Sequence, residues 1–536
     1  MNMVSEYSPS GPLFPACRRI IRPEAWDALL HTLAEDSVPE EALPNLIAGR
    51  LAEDDLPPFV ADLAAVEARL HQCAGLREEL PEPGDAIIVN PTLSLLRVGW
   101  RNLPKIIERK EPAAPEPGED FILIWQRPAD RRLQVRSAAS EDLLALKLVL
   151  ENLDKREIAR LESTTLARLD RAVTAAVQRG ILLAPPSAIR RDPSLFAPEV
   201  DIPEKYLSAQ VFTLQWHITQ ACDLRCKHCY DRSDRSPLSL EDAVAALDQL
   251  YDFCQARHVY GQVSFSGGNP LLHPHFFEIY RAAADRGFMT AILGNPTTPE
   301  ILSRIIAIQK PEFFQVSLEG LREHNDHIRG AGFFDRVLRF LDDLRAADIY
   351  SMVMLTLTRG NLDQVLPLAE QLRDKVDLFT FNRLSMVGEG AQLLTPGREE
   401  YEAFLHAYLD AKPRNPCMGL KDSLINIIRS RSNEELFGGC AGMGCGAAFN
   451  FVALLPDGQV HACRKFPSLI GNIHDRGLAD IYDSPEAARY RLGPDSCRGC
   501  RIRHVCGGCL AVIDSAGLDW TQDRDPCCFI DVGAED

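Results

Sequence analysis

Between residues 205 and 395 the chain repeats one pattern, a short β-branched or aromatic run followed by a helical stretch, and no other feature limits the fold as strongly. Strand-like runs stand at 211–219, 262–266, 288–293, 313–318, 350–357 and 377–384. Helical periodicity lies between them, near 239–257, 275–286, 299–309, 333–347 and 361–375. Such alternation makes a parallel sheet with crossover helices, open or partly closed as a barrel. The expected class is α/β, with the chemistry gathered at the carboxyl ends of the strands.

One loop occupies such an end. Residues 221–230 read ACDLRCKHCY and set Cys222, Cys226 and Cys229 in a C-x3-C-x2-C array directly after the first strand. Three thiolates on a short loop suit a metal whose remaining position is filled by something else. A 4Fe–4S cluster takes four cysteines, so three leave one iron free. A zinc knuckle uses similar spacing and is the structural alternative. The second strand ends in Ser266-Gly267-Gly268-Asn269-Pro270. Two glycines there allow close backbone approach to a ligand, although a lone Gly-Gly is a turn by default.

Residue types and spacing together resemble the radical S-adenosylmethionine (SAM) superfamily. The resemblance implies that Cys222, Cys226 and Cys229 hold a cluster whose free iron chelates SAM, and that SAM is cleaved to a 5'-deoxyadenosyl radical. It places Ser266 to Pro270 at the family's GGEP position, with Asn269 in place of the acid, so a hydrogen-bond acceptor remains without the charge. His228 falls where the family packs the adenine. Asn295 ends the third strand, and Val316-Ser317-Leu318-Glu319-Gly320 is similar to the VSLDG stretch of SAM-dependent maturases. Ser317 and Glu319 are thereby expected near SAM, and Arg329 near its carboxylate. A capping serine and a solvated arginine are the ordinary alternatives.

Nine of the 16 cysteines lie in 440–528. Eight thiolates make two closed four-cysteine sites, which move electrons or hold structure; zinc ribbons would use the C-x2-C pairs equally well. This segment closely resembles the SPASM extension of radical SAM peptide maturases. The resemblance assigns Cys440, Cys445, Cys463 and Cys509 to one auxiliary cluster, and Cys497, Cys500, Cys506 and Cys527 to the other, with Cys528 competing for the last place. Three 4Fe–4S clusters and SAM are the implied cofactors. Cys417 is unassigned, a buried thiol or a donor near the substrate.

The remainder of the chain carries less chemistry. Residues 1–110 have helical stripes and the isolated thiols Cys17 and Cys73, and 110–119 (KEPAAPEPGE) read as a Pro-rich linker. Two strand-like runs, 121–126 and 132–136, precede helices at 139–151 and 164–179, a winged-helix-like pattern. It resembles the element with which peptide-modifying enzymes take a leader peptide as an added strand. Residues 184–204, with five prolines, read as a second linker.

The expected organisation is a helical domain (1–110), a winged-helix, peptide-recognition-like domain (120–184), a partial (β/α)6 TIM-like radical SAM barrel (205–395), a connecting helical segment (396–439) and a SPASM domain (440–536). The net charge is −18, and residues 1–120 hold 21 acids against 11 bases. That balance disfavours nucleic acid and anionic membrane as partners. The start lacks a basic and apolar signal, and no run approaches the roughly 18 apolar residues of a membrane span. A reducing cytoplasm is expected.

The resemblance implies an enzyme that modifies a ribosomally made precursor peptide, forming a thioether or related cross-link at Cys, with flavodoxin or ferredoxin as electron donor. Arg464 stands where anaerobic sulfatase maturases carry a general-base Asp, which disfavours formylglycine formation. The GGNP variant and acidic N-terminus are similar to the selenobiotic branch, which matures selenocysteine- or cysteine-containing peptides. The alternatives are a maturase of a folded protein, of sulfatase or quinohemoprotein type, and a metal-stabilised scaffold or winged-helix regulator.

Overall fold

The computed structural model of the chain describes residues 7, 12–35, 39, 42–77, 81, 84–109 and 114–530. It divides into two compact units, Met1–Pro186 and Ser187–Asp536.

In the first unit, helices Pro23–Glu35, Leu43–Arg50 and Val60–Gly75 pack with an antiparallel sheet of β1 (Ser94–Arg101), β2 (Glu116–Gln126) and β3 (Leu133–Ser137). The sheet corrects the expected linker at 110–119, because β2 begins at Glu116 and its first residues pair with β1, Arg101 opposite Glu116 and Trp100 opposite Pro117. Residues 110–113 lie outside the described residues. β3 reaches β2 only from Ile122 to Gln126, so Pro117 meets no ladder on that side and its missing N–H costs nothing there. One apolar core accordingly runs from the N-terminal helices onto the sheet, joining Leu63, Val66 and Leu70 to Ile122, Ile124 and Val135. Helices Ser140–Leu150, Lys155–Leu161 and Leu166–Gln178 follow, the last capped by Thr165 Oγ1. Cys17 and Cys73 are buried.

The second unit is built on β4 (Val211–Thr219), β5 (Tyr260–Gly267), β6 (Met289–Leu293), β7 (Phe313–Ser317), β8 (Ser351–Leu357) and β9 (Leu378–Arg383), all parallel and adjacent in chain order. These six agree with the six runs read from periodicity. Their near-continuous burial is that of a parallel sheet covered on both faces, as in β5, where Val263 to Ser266 are all buried. Crossover helices include Leu240–Arg257, whose first turn is fixed by Ser239 Oγ accepting from the Asp242 N–H. Beyond β4 the sheet continues with β10 (Phe451–Leu454), parallel to β4, and the antiparallel β11 (Gln459–His461) and β12 (Leu469–Asn472). The cysteine-rich segment therefore extends the edge of the same sheet.

The expected linker at 184–204 divides at Pro186. From Ser187 it belongs to the second unit, where Arg191 donates to the carbonyl oxygens of Cys445 (2.8 Å) and His504 (3.3 Å). Among the described residues no helix is long and apolar enough to cross a membrane.

Candidate active site

The carboxyl ends of the parallel strands open onto a cavity of about 540 Å³. Cys222, Cys226, His228 and Cys229 line it from the loop after β4, with Ser266 and Gly267 from β5, Gly268 just after it, Asn295 after β6, Ser317 from β7 and Arg329. The glycine pair packs on the chain itself. Gly268 N–H donates to Thr219 O (2.8 Å) and Asn269 N–H to Ala221 O (2.7 Å). A Cβ on Gly267 would stand 2.2 Å from Thr219 O, and one on Gly268 2.3 Å from Ala221 O. Only glycine lets β5 clamp the root of the cysteine loop so closely.

Behind the loop lies a buried charged group. Glu319, 2% exposed, accepts from Arg329 Nε (2.9 Å) and Nη2 (2.5 Å), lies 3.2 Å from His228 Nε2, and takes the Thr356 N–H at 2.8 Å. Burial alone would raise its pKa, but the His228 and Arg329 charges and their hydrogen bonds outweigh it and hold the carboxyl down at about 2. Arg329 Nη1 reaches Cys226 Sγ at 3.7 Å, while His228 Nδ1 is buried without a hydrogen-bond partner.

Three predicted residues do not line the cavity: Asn269, Pro270 and Glu319. Asn269 donates to Asp223 Oδ1 (3.1 Å) and accepts weakly from Leu271 N–H, which fixes the turn at Pro270–Leu272. Asp223, passed over in the sequence although it follows Cys222, also accepts from Asn295 Nδ2 (2.5 Å) and pairs with Arg336 (3.0 Å). It ties the loop to strands β5 and β6.

The tail cysteines form two sets. Cys440, Cys445, Cys463 and Cys509 surround one pocket. Burial first, and then the neighbouring thiols of the set, push Cys445 up to about 12 and Cys463 up to about 11. Cys497, Cys500, Cys506 and Cys528 surround the other. Cys527 points elsewhere, its Sγ 3.7 Å from Pro396 O. Between the sets runs a buried ionic network that the sequence reading missed. Arg383, at the carboxyl end of β9 and 3% exposed, binds both oxygens of Asp525 and Oδ2 of Asp422, each at 2.7 Å. Asp525 in turn accepts from the N–H groups of Cys509 (2.9 Å) and Cys527 (3.0 Å). A strand-end arginine was the available signal.

The residues fit iron–sulfur clusters and SAM. Each four-thiol set rings a pocket, and among the described residues no three His, Cys, Asp or Glu side chains form a group suited to a single metal ion. The three-thiol loop faces open space, with His228 on its wall.

Fold and site thus define a thiolate-centred α/β enzyme with one open reactive centre and two closed thiol sets. Residues 216–372 match the model of the radical SAM superfamily, and 445–501 that of the SPASM iron–sulfur cluster-binding domain. Mycofactocin maturase MftC of Mycolicibacterium smegmatis is 31% identical over 352 residues, 62% of this chain and 86% of that protein. The AdoMet-dependent heme synthase of Methanosarcina barkeri is 26% identical over 348 residues, 59% of this chain and 96% of its own. The crystal structure of Streptococcus suis SuiB is similar at a TM-score of 0.48 and 16% identity, over 76% of this chain and 96% of that one. The chain belongs to the radical SAM superfamily and carries its SPASM iron–sulfur extension. Iron–sulfur clusters and SAM are the cofactors of such enzymes.

Proposed function

We propose that the protein matures a ribosomally made precursor peptide by removing a hydrogen atom from one of its carbons and closing a thioether or related cross-link at a Cys. The observation that carries the reading is the single cavity joining the three-thiol loop to Gly267, Gly268, Asn295, Ser317 and Arg329. A relative named a maturase supports the substrate class. When bound, the reduced cluster and SAM supply a 5'-deoxyadenosyl radical able to abstract an unactivated hydrogen.

The residues divide the work. Cys222, Cys226 and Cys229 would hold the first cluster and leave one iron open. Gly267, Gly268, Asn295 and Ser317 would border SAM, and His228 would pack against its adenine. Glu319 orients Arg329 and His228 from behind, and Asn269 with Pro270 fixes the turn. The two tail sets would hold two further clusters, with Cys528 rather than Cys527 completing the second. Formation of the C–S bond would take a hydrogen atom from carbon, a proton from the thiol to solvent and one electron to a cluster, a net two-electron oxidation of the peptide matched by the reduction of SAM to methionine and 5'-deoxyadenosine.

The segment 120–184 would bind the leader as a strand added at β3, an edge of its three-stranded sheet. A flavodoxin or ferredoxin would supply electrons, and the reducing cytoplasm would house the enzyme.

The test is anaerobic co-expression with the small Cys-containing reading frame beside the gene. The peptide is expected to lose the mass of a hydrogen pair for each bond formed. An unchanged peptide mass from an enzyme that still makes 5'-deoxyadenosine would count against this reading.

A further inference from the structure

The cavity is lined by several cations, and most are already matched. Arg329 is held by Glu319, Arg383 by Asp422 and Asp525, and Arg232 by Glu389 at 3.3 Å. Lys465 donates to Arg383 O at 2.9 Å, and Arg225 is exposed to solvent. Arg464 differs. It is half-buried, and its hydrogen bond goes to a neutral group, from Nη1 to Ser266 Oγ at 3.0 Å. Among the described residues no carboxylate lies within ion-pair reach of it.

Two side chains of the wall sense its charge. His217 is buried and Tyr230 half-buried, the two are joined by a hydrogen bond of 2.8 Å, and both feel the Arg464 charge. Burial, aided by that charge, pushes the His217 pKa down to about 3, so the imidazole is neutral. Tyr230 also senses the Cys229 thiol, the Asp231 carboxylate, itself paired with Arg235 at 3.8 Å, and the Cys463 thiol, so this part of the wall stands between the three-thiol loop and the first tail set. A partly desolvated guanidinium with most of its five donors unused has one well-matched counterpart, a carboxylate bound in its plane.

We infer that Arg464 is the receptor for a carboxylate of the substrate, either a peptide's terminal carboxylate or an Asp or Glu side chain. The inference rests on the maturase reading for what enters the chamber and deepens it. The substrate carries negative charge close to the atom that reacts, and Arg464 fixes its register against the three-thiol loop.

The test is arginine footprinting of the wild-type, anaerobically reconstituted holoenzyme. Phenylglyoxal modification of Arg464 is followed by peptide mass spectrometry with SAM alone and with SAM plus one of three probes. N-acetylglycine carries a terminal carboxylate, N-acetylglutamic acid α-amide a side-chain carboxylate, and N-acetylglycinamide neither. One of the acids should slow modification of Arg464 by roughly tenfold relative to the neutral amide, the discrimination of a charge-assisted pair. The better of the two acids names the source. Arg225 on the rim should react equally throughout.

Equal rates with acids and amide would overturn the inference. So would complete protection by SAM alone, which would make the ligand the carboxylate of SAM. Production of 5'-deoxyadenosine by the same sample separates the two readings: if it is absent the maturase reading fails, and if it is present without selective protection only the role of Arg464 fails.

Discussion

The three-thiol loop and the two tail sets use the same side chain in opposite surroundings. Cys222 is exposed, Cys226 and Cys229 are half-buried, and all three border a cavity with room for a ligand. Burial raises Cys226, but the Arg329 guanidinium beside it pulls the other way. In the tail, burial dominates, pushing Cys445 up to about 12 and Cys463 and Cys497 up to about 11, with the thiols of each set raising one another. A thiol must lose its proton to bind metal, so the crowding of raised thiols in each tail set is relieved when iron displaces their protons to solvent. One region is open and electrostatically assisted, the other closed with its thiols mutually repelling, the contrast between a site with a free position and sites enclosed by their ligands.

The largest effect should come from breaking the open side. Cys226→Ala is expected to reduce 5'-deoxyadenosine formation by about a thousandfold or more, because a ligand of a catalytic unit acts with the whole unit. Iron content should fall by about four per chain, the content of one cluster. Chromatography of the nucleoside and an iron assay check both. Retained SAM cleavage would mean that the loop is not the reactive centre.

On the closed side the adjacent pair Cys527 and Cys528 gives the sharpest contrast. Cys528→Ser should lose the second tail cluster, again about four irons, while Cys527→Ser should keep all of them. The opposite result would move the ligand back to the position that the resemblance assigns. SAM cleavage should fall far less in either variant than in Cys226→Ala.

That pair also marks where the sequence becomes illegible. The six parallel strands were readable because alternation and burial repeat along the chain, and the thiol loop because its spacing is local. Choosing between Cys527 and Cys528 depends on which neighbour the turn at Asp525 presents, and that turn is set by Arg383, more than 100 residues away. Strand β2 was hidden for a related reason. Its first half, Glu116 to Asp120, is charged and holds Pro117, as a linker would, yet it is the outer end of a ladder whose register comes from β1 and from the Arg97–Glu119 ion pair. Composition reports exposure there, and an exposed strand end and a linker share it.

A smaller effect tests the wall between the two regions. His217 is neutral in the fold, with a pKa near 3 against the ordinary 6.5, chiefly through burial. A depressed pKa contributes stability that is present above the unfolded value and lost as pH falls towards the folded one, so the window runs from 6.5 down to 3. Within it the unfolded chain takes up a proton that the folded chain refuses, at about 1.4 kcal/mol per pH unit. His217→Gln, which can still bond Tyr230, should remove that much from the slope of urea stability between pH 6 and pH 5, on the order of one unit of pH apart. An unchanged slope would mean that the imidazole is hydrated, and that the wall does not separate the chamber from the first tail set.

Cys417 should give the smallest effect, and it decides whether any thiol outside the two regions takes part in the chemistry. It is 2% exposed, its Sγ lies 3.9 Å from Ala369 O, and its own carbonyl oxygen accepts from Phe379 N–H in β9 at 2.7 Å. It borders neither the chamber nor either thiol pocket, and burial pushes it up to about 11. Removing the sulfur leaves a small void, so Cys417→Ala should cost about 1 kcal/mol of stability. Rates of SAM cleavage and of peptide modification should stay at the wild-type level, because packing beside β9 leaves the strand end at Arg383 in place. A tenfold loss of peptide modification with SAM cleavage intact would instead make this thiol a hydrogen donor to the substrate, and the division into one open and two closed regions would have to admit a third.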